Sequence, residues 1–323
     1  YEEGRDATVA QIAQQGAALV ESRFAHDVES RIAIDNTLTR VFRRLGRLAD
    51  AARCAEAAMR EVEAGGRSIG ETARRQAQDE LAWVRFYQQR YQEADDLLTA
   101  AMTPSPWSGE QPSPGHLLMR RGRVRSRLGR HPEAIQDCRM ACGLLADDRE
   151  EQAIARAYLA DALARTRDPA CFEEAERLLL QVIQEAPCGE KMVQSDMTAH
   201  EVLGNLYLLM GRPQDAIRLL QDFLVHVHRG FGKDSVNACV YSQTLALALM
   251  QDRRYAEAAD RMLEAAVVLS RIVPEDDVKR KESEDHLKTV LRRWRAADPA
   301  TAAAWRESRS GEGAKLLDRW EED

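Results

Sequence analysis

No run of eighteen apolar residues occurs in this 323-residue chain, so no membrane-spanning helix is expected. Positive charge is also short. Lys and Arg total 46 against 53 Asp and Glu, for a net charge of −7. A general nucleic-acid binder needs the opposite balance, because its affinity comes from cations that displace counterions from phosphates. That class is set aside, although a local basic patch is still allowed. Aromatic residues make up only 6% and β-branched runs are scarce. What dominates instead is Ala, Leu, Arg and Glu, all helix formers. With 44% hydrophobic and 31% charged residues the chain is folded rather than disordered, and an all-α protein is the first expectation.

Signatures of catalysis are missing as well. The sequence holds no GxxxxGK[ST], no HExxH and no CxxC, and its one GxSxG, at 66–70, lies between two helical patterns rather than after a strand. Cys138 and Cys142 share a helical face but have no further Cys or His pair at metal-binding spacing, and they read as core thiols. His226 and His228 would point about 200° apart on a helix, too far to reach one ion together. No cofactor, no metal and no enzymatic activity are expected. The six cysteines (Cys54, Cys138, Cys142, Cys171, Cys188 and Cys239) lie mostly inside Ala-rich helical patterns without small-scaffold spacing. They read as free thiols of a reducing, cytoplasmic compartment. The opening "YEEGRDATVAQ" has neither an initiator Met nor a signal-peptide core, so the chain reads as a fragment or a processed form.

What the sequence does contain is repetition. "MGRPQDAIRLL" at 210–220 echoes "LGRHPEAIQDC" at 128–138. Similar phrases, a short turn followed by an acidic residue, an alanine and an apolar helix, place alanines at Ala51, Ala94, Ala134, Ala175, Ala216 and Ala258. Their separations run 43, 40, 41, 41 and 42, and a fixed period of that size marks a stacked repeat. Each unit reads as two helices. In "MTAHEVLGNLYLLM", Val202, Leu203, Leu206, Leu209 and Met210 recur at three-and-four spacing. Gly211 then ends the helix, Pro213 suits the first turn of the next, and Asp215 lies near its positive end. Ala216 is small where two helices cross closely.

The same grammar predicts helix pairs near 26–45 and 48–63, 72–89 and 92–103, 115–128 and 132–145, 150–166 and 172–186, and 235–251 and 255–272. A helix over 6–22 caps the start. Helices over 277–297 and 300–320 cap the end, with Trp294, Trp305 and Trp320 packing there. "TPSPWSGEQPSPG" at 103–115 reads as an exposed, extended link, and "APCGEKMVQS" at 186–195 as a milder one.

These residues resemble the tetratricopeptide repeat family. Leu203, Gly204, Tyr207, Ala216, Leu220 and Phe223 fall on its Leu, Gly, Tyr, Ala and closing apolar positions, while Gly122 with Ala134 and Ala246 with Ala258 keep parts of the same pattern. The period exceeds the family's usual length of about 34 and looks like the lengthened repeats of kinesin light chain, most closely over 230–269. Armadillo or HEAT arrays have a compatible period, but the Gly-turn-Ala signature argues against them. The resemblance implies a right-handed α-solenoid of about six hairpins, with a cap at 1–24, an array at 25–273 and capping helices at 274–323. It further implies a non-catalytic scaffold that binds a peptide or partner protein, as a subunit of a larger complex. Sensor arrays of larger signalling or transcriptional regulators are the alternative.

In the family the first helix of each pair lines a concave groove. On this register the inward residues are Asn36, Thr37, Arg40 and Arg44, then Asp79, Glu80, Trp83 and Tyr87, then Arg120, Arg123 and Arg127. Ala157, Ala160, Asp161 and Ala164 follow, with Glu201, Asn205 and Leu208, and then Gln243, Thr244 and Leu247. The Lys and Asn set of a carboxylate clamp is absent. Instead, "RRGRVRSR" at 120–127 packs five arginines into eight residues, a local inversion of charge. One reading is a docking site for an acidic or phosphorylated peptide, formed by Arg40, Arg44, Trp83, Tyr87, Arg120, Arg123, Arg127 and Asn205, since guanidinium binds carboxylate and phosphate bidentately. The other is salt bridging to Asp79, Glu80, Asp95, Asp96 and Asp161, with Trp83 and Tyr87 as core.

Overall fold

The computed structural model describes residues 9–24, 27–103, 112–186, 193–273, 275 and 278–321, and among them there is no strand. Most of the 103–115 link and of the 186–195 link, Cys188 included, lies outside the described residues. The chain divides into two compact units, Tyr1–Arg165 and Thr166–Asp323, and the division falls inside the stretch expected as one array.

The first unit comprises α1 (Val9–Arg23), α2 (Val28–Arg44), α3 (Leu48–Gly65), α4 (Glu71–Tyr87), α5 (Tyr91–Ala101), α6 (Pro114–Arg127), α7 (His131–Leu144) and α8 (Arg149–Arg165). A short 3₁₀ turn, Gly66–Ser68, was not foreseen. The hairpins α2/α3, α4/α5 and α6/α7 stack in order, α1 packs on α2, and α8 packs on α6 and α7. The second unit comprises α9 (Pro169–Glu185), α10 (Gln194–Leu209), α11 (Pro213–Phe231), α12 (Val236–Gln251), α13 (Tyr255–Ile272), α14 (Val278–Ala297), α15 (Pro299–Glu307) and α16 (Gly311–Glu321). Within it α10/α11 and α12/α13 are the hairpins, α9 packs on α10, and α14 packs on α13 and α12. Packing joins elements one or two steps apart in the chain, with α13 on α16 as the longer step, which is how a stacked repeat is held together. The single expected helix over 300–320 is two, because Gly311 takes a left-handed φ of 67° between them. Trp294 and Trp305 are buried there with ring centroids 5.7 Å apart.

One turn recurs, and it explains the period. The residue five before the repeat alanine is left-handed in each hairpin: Gly46, Gln89, Gly129, Gly211 and Arg253. The next residue is always arginine, namely Arg47, Arg90, Arg130, Arg212 or Arg254, and it caps the second helix. Its N–H donates back to the carbonyl of Phe42, Arg85, Arg125, Tyr207 or Leu249, closing a Schellman-type bond. Its guanidinium then pairs within the turn or with the preceding hairpin. Arg90 meets Glu93 at 2.6 Å and Arg254 meets Glu257 at 2.6 Å, whereas Arg130 reaches Asp95 at 2.8 Å. Arg212 makes both kinds of contact, to Asp215 at 2.6 Å and to Glu176 at 2.9 Å.

The turn exists so that the helices can cross closely. All six repeat alanines are fully buried. Twelve residues before each lies the crossing partner, which is Thr39, Ala82, Gly122, Gly204 or Ala246 in five cases. At Gly122 an added Cβ would run into Cys138 Sγ and would lie 3.1 Å from the Ala134 carbonyl, so only glycine fits. The fourth pair departs from this scheme. The residue twelve before Ala175 is the bulky Leu163, and Arg167 and Asp168 replace the Gly-Arg turn. Asp168 caps α9, which starts at Pro169 rather than near 172. The division between the two units falls at this irregular place.

Gln89 and Arg253 hold the left-handed conformation without being glycine, which costs an L-residue about 1 kcal/mol or more. We predict that Gln89→Gly and Arg253→Gly each raise stability, by up to about 1 kcal/mol after the entropy cost of glycine. Chemical denaturation of the single variants checks this, and a loss of stability in both would show that the turn is not strained.

Candidate functional site

The face made by α2, α4, α6 and α8 in the first unit carries most of the charge singled out in the sequence. The arginine run of α6 is turned in two directions by the helix. Arg121 and Arg125 face α5 and α7. Arg121 holds Asp137 at 2.8 Å, and Arg125 holds both Asp137 and Asp95 at 2.9 Å, so these groups chain three helices together with Arg130. Arg120 and Arg123 face the first helices of the neighbouring hairpins. Arg120 binds Asp79 of α4 at 2.9 Å, and Arg123 binds Asp161 of α8 at 3.4 Å. Asp161 is shared with Arg165 at 3.0 Å. Arg120, Arg123 and Arg125 thus meet carboxylates that the salt-bridging reading named, whereas Arg121 pairs with Asp137, which that reading did not include. Each carboxylate is buried, and removing one partner from such a pair costs about 3–5 kcal/mol.

Burial alone would push the Asp79 and Asp161 carboxyls upward. The Arg120 guanidinium beside Asp79, with a His116 hydrogen bond, holds it below the usual range instead. Arg123 and Arg165 do the same for Asp161.

His116, one turn before Arg120, bridges three helices. Its Nδ1 lies 3.2 Å from Glu151 of α8 and its Nε2 3.5 Å from Asp79 of α4. Burial and Arg120 press its pKa down, but hydrogen bonds to both carboxylates win and leave it above the ordinary histidine value.

The other expected site residues fall in different settings. Trp83 is only 7% exposed, stacked on Phe86 at 4.8 Å and covered by the Arg120 guanidinium at 4.9 Å, so it belongs to the packing. Tyr87 is half-buried at the end of α4. Arg40 pairs with Glu80 at 3.2 Å while its side chain stays 45% exposed. Arg44 and Arg127 are exposed at the ends of α2 and α6. With Tyr87 they occupy the same register position in three successive hairpins, seven residues before Ala51, Ala94 and Ala134. Asn205 is exposed on α10 of the second unit. Sequence reasoning missed Arg43, His116, Glu151 and Tyr158. The ring of Tyr158 lies 4.6 Å from the Arg123 guanidinium. The register could have located Arg43, because it is one helical turn beyond Arg40.

Among the described residues, no group of three or more His, Cys, Asp or Glu side chains could hold a metal ion. Burial pushes the Cys54 thiol up to about 11 and the Cys239 thiol to about 12, so neither is a thiolate nucleophile near neutrality. No described helix is long and apolar enough to cross a membrane.

Residues 199–233 match the tetratricopeptide repeat family, which covers α11 and most of α10. A tetratricopeptide repeat protein from Parabacteroides merdae aligns over 86% of this chain and 92% of its own, with a TM-score of 0.59 and 16% identity. This chain has the tetratricopeptide-repeat fold. A Rap protein complexed with competence and sporulation factor also aligns, over 95% of this chain and 94% of its own, with a TM-score of 0.61 and 11% identity. So does a signal transduction ATPase with a tetratricopeptide repeat sensor from Pyrococcus horikoshii, where 94% of this chain covers 43% of that one, with a TM-score of 0.59 and 14% identity. No curated protein matches the chain in sequence. In tetratricopeptide terms, α2, α4, α6, α10 and α12 are the first helices of their hairpins; at Gly204, within the matched residues, an added Cβ would lie 3.2 Å from Leu220.

Because the folded pKa of His116 is raised, the histidine contributes stability that is complete below its unfolded value, about 6.5. That contribution is lost as pH rises through the folded value. The depressed carboxyls act in the opposite sense, and their contribution is lost only as pH falls into the acid range. We predict that His116→Gln lowers the thermal midpoint below about pH 6.5 and that the gap to the native protein narrows as pH rises through the raised folded value. A gap that stays constant across this range would contradict the three-helix bridge.

Proposed function

We propose that the protein is a non-catalytic interaction module whose first unit receives an acidic or phosphorylated peptide segment of a partner protein on the face made by α2, α4, α6 and α8. The supporting observation is the layering of charge there. Arg120 and Arg123 are neutralised beneath the surface by Asp79 and Asp161, while Arg44 and Arg127 are exposed at the register position that the half-buried Tyr87 holds in α4. The lower arginines fix the helix spacing, and on this reading the exposed ones meet the ligand, with Arg40, which also pairs with Glu80, beside them on α2. On this reading Trp83 supports the site from below, and Asn205, which belongs to α10 of the second unit, is not counted in it. The Rap protein in complex with its factor supports use of this fold for binding. The buried, high-pKa thiols suit a reducing, cytoplasmic compartment.

A second reading has one specific support. In the Pyrococcus horikoshii protein the aligned region is the size of a part, since this chain covers 43% of it, and its name assigns it a tetratricopeptide repeat sensor. On that reading the same face is the sensing region of a larger regulator.

Charge reversal at the surface layer separates binding from folding. Arg120→Glu or Arg123→Glu would place a second carboxylate beside a buried one and would report on folding instead. We predict that Arg44→Glu combined with Arg127→Glu weakens binding of a labelled Glu-rich peptide roughly three- to tenfold at low salt. Binding to the native protein should itself fall as ionic strength rises. Equal affinity of the native and doubly reversed proteins, measured by fluorescence anisotropy, would end the proposal.

A further inference from the structure

Turn arginines elsewhere in the chain close their charge on an acid of an earlier helix, Arg130 on Asp95 at 2.8 Å and Arg212 on Glu176 at 2.9 Å. One place in the second unit leaves opposite charges open. It is a cleft of about 500 Å³ between the α12/α13 turn and the start of α15, within the roughly 300–1,000 Å³ of small-molecule sites.

The charges lining the cleft balance in number but not in contact. Arg253 and Arg254 stand against Glu257 and Asp298. Arg254 and Glu257 satisfy each other at 2.6 Å. Arg253 is exposed, and its side chain makes no ion pair or hydrogen bond with the described residues. Asp298 caps α15 by accepting from the Thr301 N–H at 3.1 Å, and no cation among the described residues pairs with it. The register shows how the two lips come to differ in sign. The five arginine caps stand four residues before a repeat alanine, and Asp298 takes that position before the buried Ala302.

Two further features set the cleft apart. Part of its wall is aromatic, made by half-buried Tyr255 and by buried Trp294, whose Nε1 donates to Thr301 Oγ1 at 3.1 Å. Arg253 also holds a left-handed φ of 64° at the turn position that is glycine in three other hairpins. Strained residues of this kind gather at binding sites, where the side chain is kept at a conformational cost.

We propose that this cleft binds a small zwitterion, an α-amino acid or a short peptide with both ends free. The ligand carboxylate takes the Arg253 fork, and its ammonium takes the Asp298 carboxylate. The aromatic wall receives an apolar side chain. A ligand with a carboxylate alone would leave Asp298 without a cation, and one with an amine alone would leave Arg253 without an anion. The site belongs to the second unit and does not depend on the peptide reading of the first.

The test uses the full chain in ligand-observed NMR titrations. The probes are leucine and leucyl-leucine, each also in its N-acetylated and its C-amidated form. Either blocked form should bind roughly tenfold or more weakly than the free zwitterion, the range of a lost charge-assisted hydrogen bond. The tighter of the two free probes tells an amino acid from a peptide as the source. Arg253→Gly should abolish the preference for a free carboxylate over an amide and keep the preference for a free amine. Asp298→Asn, which retains a capping side chain, should do the reverse. The thermal midpoint of Arg253→Gly should equal or exceed that of the native protein, so that its lost discrimination is not lost folding, and Arg253→Gln should discriminate as Arg253→Gly does. If the native protein binds neither free probe, or binds either blocked form as tightly as the free one, the inference falls. Native discrimination in both Arg253 variants would overturn it as well.

Discussion

Close helix crossing at the repeat alanines is the constraint from which the rest of the structure follows. Two helices approach this closely only where both carry small residues, and at Gly122 the space is too tight even for a methyl group. The approach fixes the turn between them. A left-handed residue, an arginine cap and an acid on the first turn reverse the chain in a few residues, and they recur with the alanine. Where the small residue is replaced by Leu163, the turn changes too, and the chain divides into its two units near that point.

Once hairpins are stacked, their first helices lie side by side and present one continuous face within the first unit. A face of this kind buries polar residues between neighbours, and this chain answers with arginine and aspartate rather than with apolar contacts. Such pairs contribute less net stability than their number suggests, because desolvation offsets much of the attraction. Their stronger effect is on geometry. Asp79, Asp137 and Asp161 each accept from arginine at a fixed direction, so the spacing of α4, α6 and α8 is set by bonds as well as by packing. Above this neutralised layer Arg44 and Arg127 are exposed.

Much of the fold was legible in the sequence, because it is written as a period. Alanines at Ala51, Ala94, Ala134, Ala216 and Ala258 located the hairpins, and Gly211 with Pro213 located a turn. The arginine caps were printed in the same phrases but escaped notice, since arginine is not a familiar capping residue and its role here is carried by its backbone and a neighbouring acid. Ala175 kept the period while its turn did not, so spacing alone placed the start of α9 three residues late. The site was less legible. The run at 120–127 was visible as charge, but only the helix geometry shows that Arg120 and Arg123 are buried against aspartates while Arg127 is exposed.

Hydrogen exchange offers the most direct measurement of the central claim, that a partner segment lies along the first helices of the first unit. On adding a Glu-rich peptide, the account predicts protection concentrated in the last turns of α2, α4 and α6, around Arg44, Tyr87 and Arg127, with α3, α5 and α7 unchanged. Protection confined to α3, α5 and α7, or to the second unit alone, would contradict it.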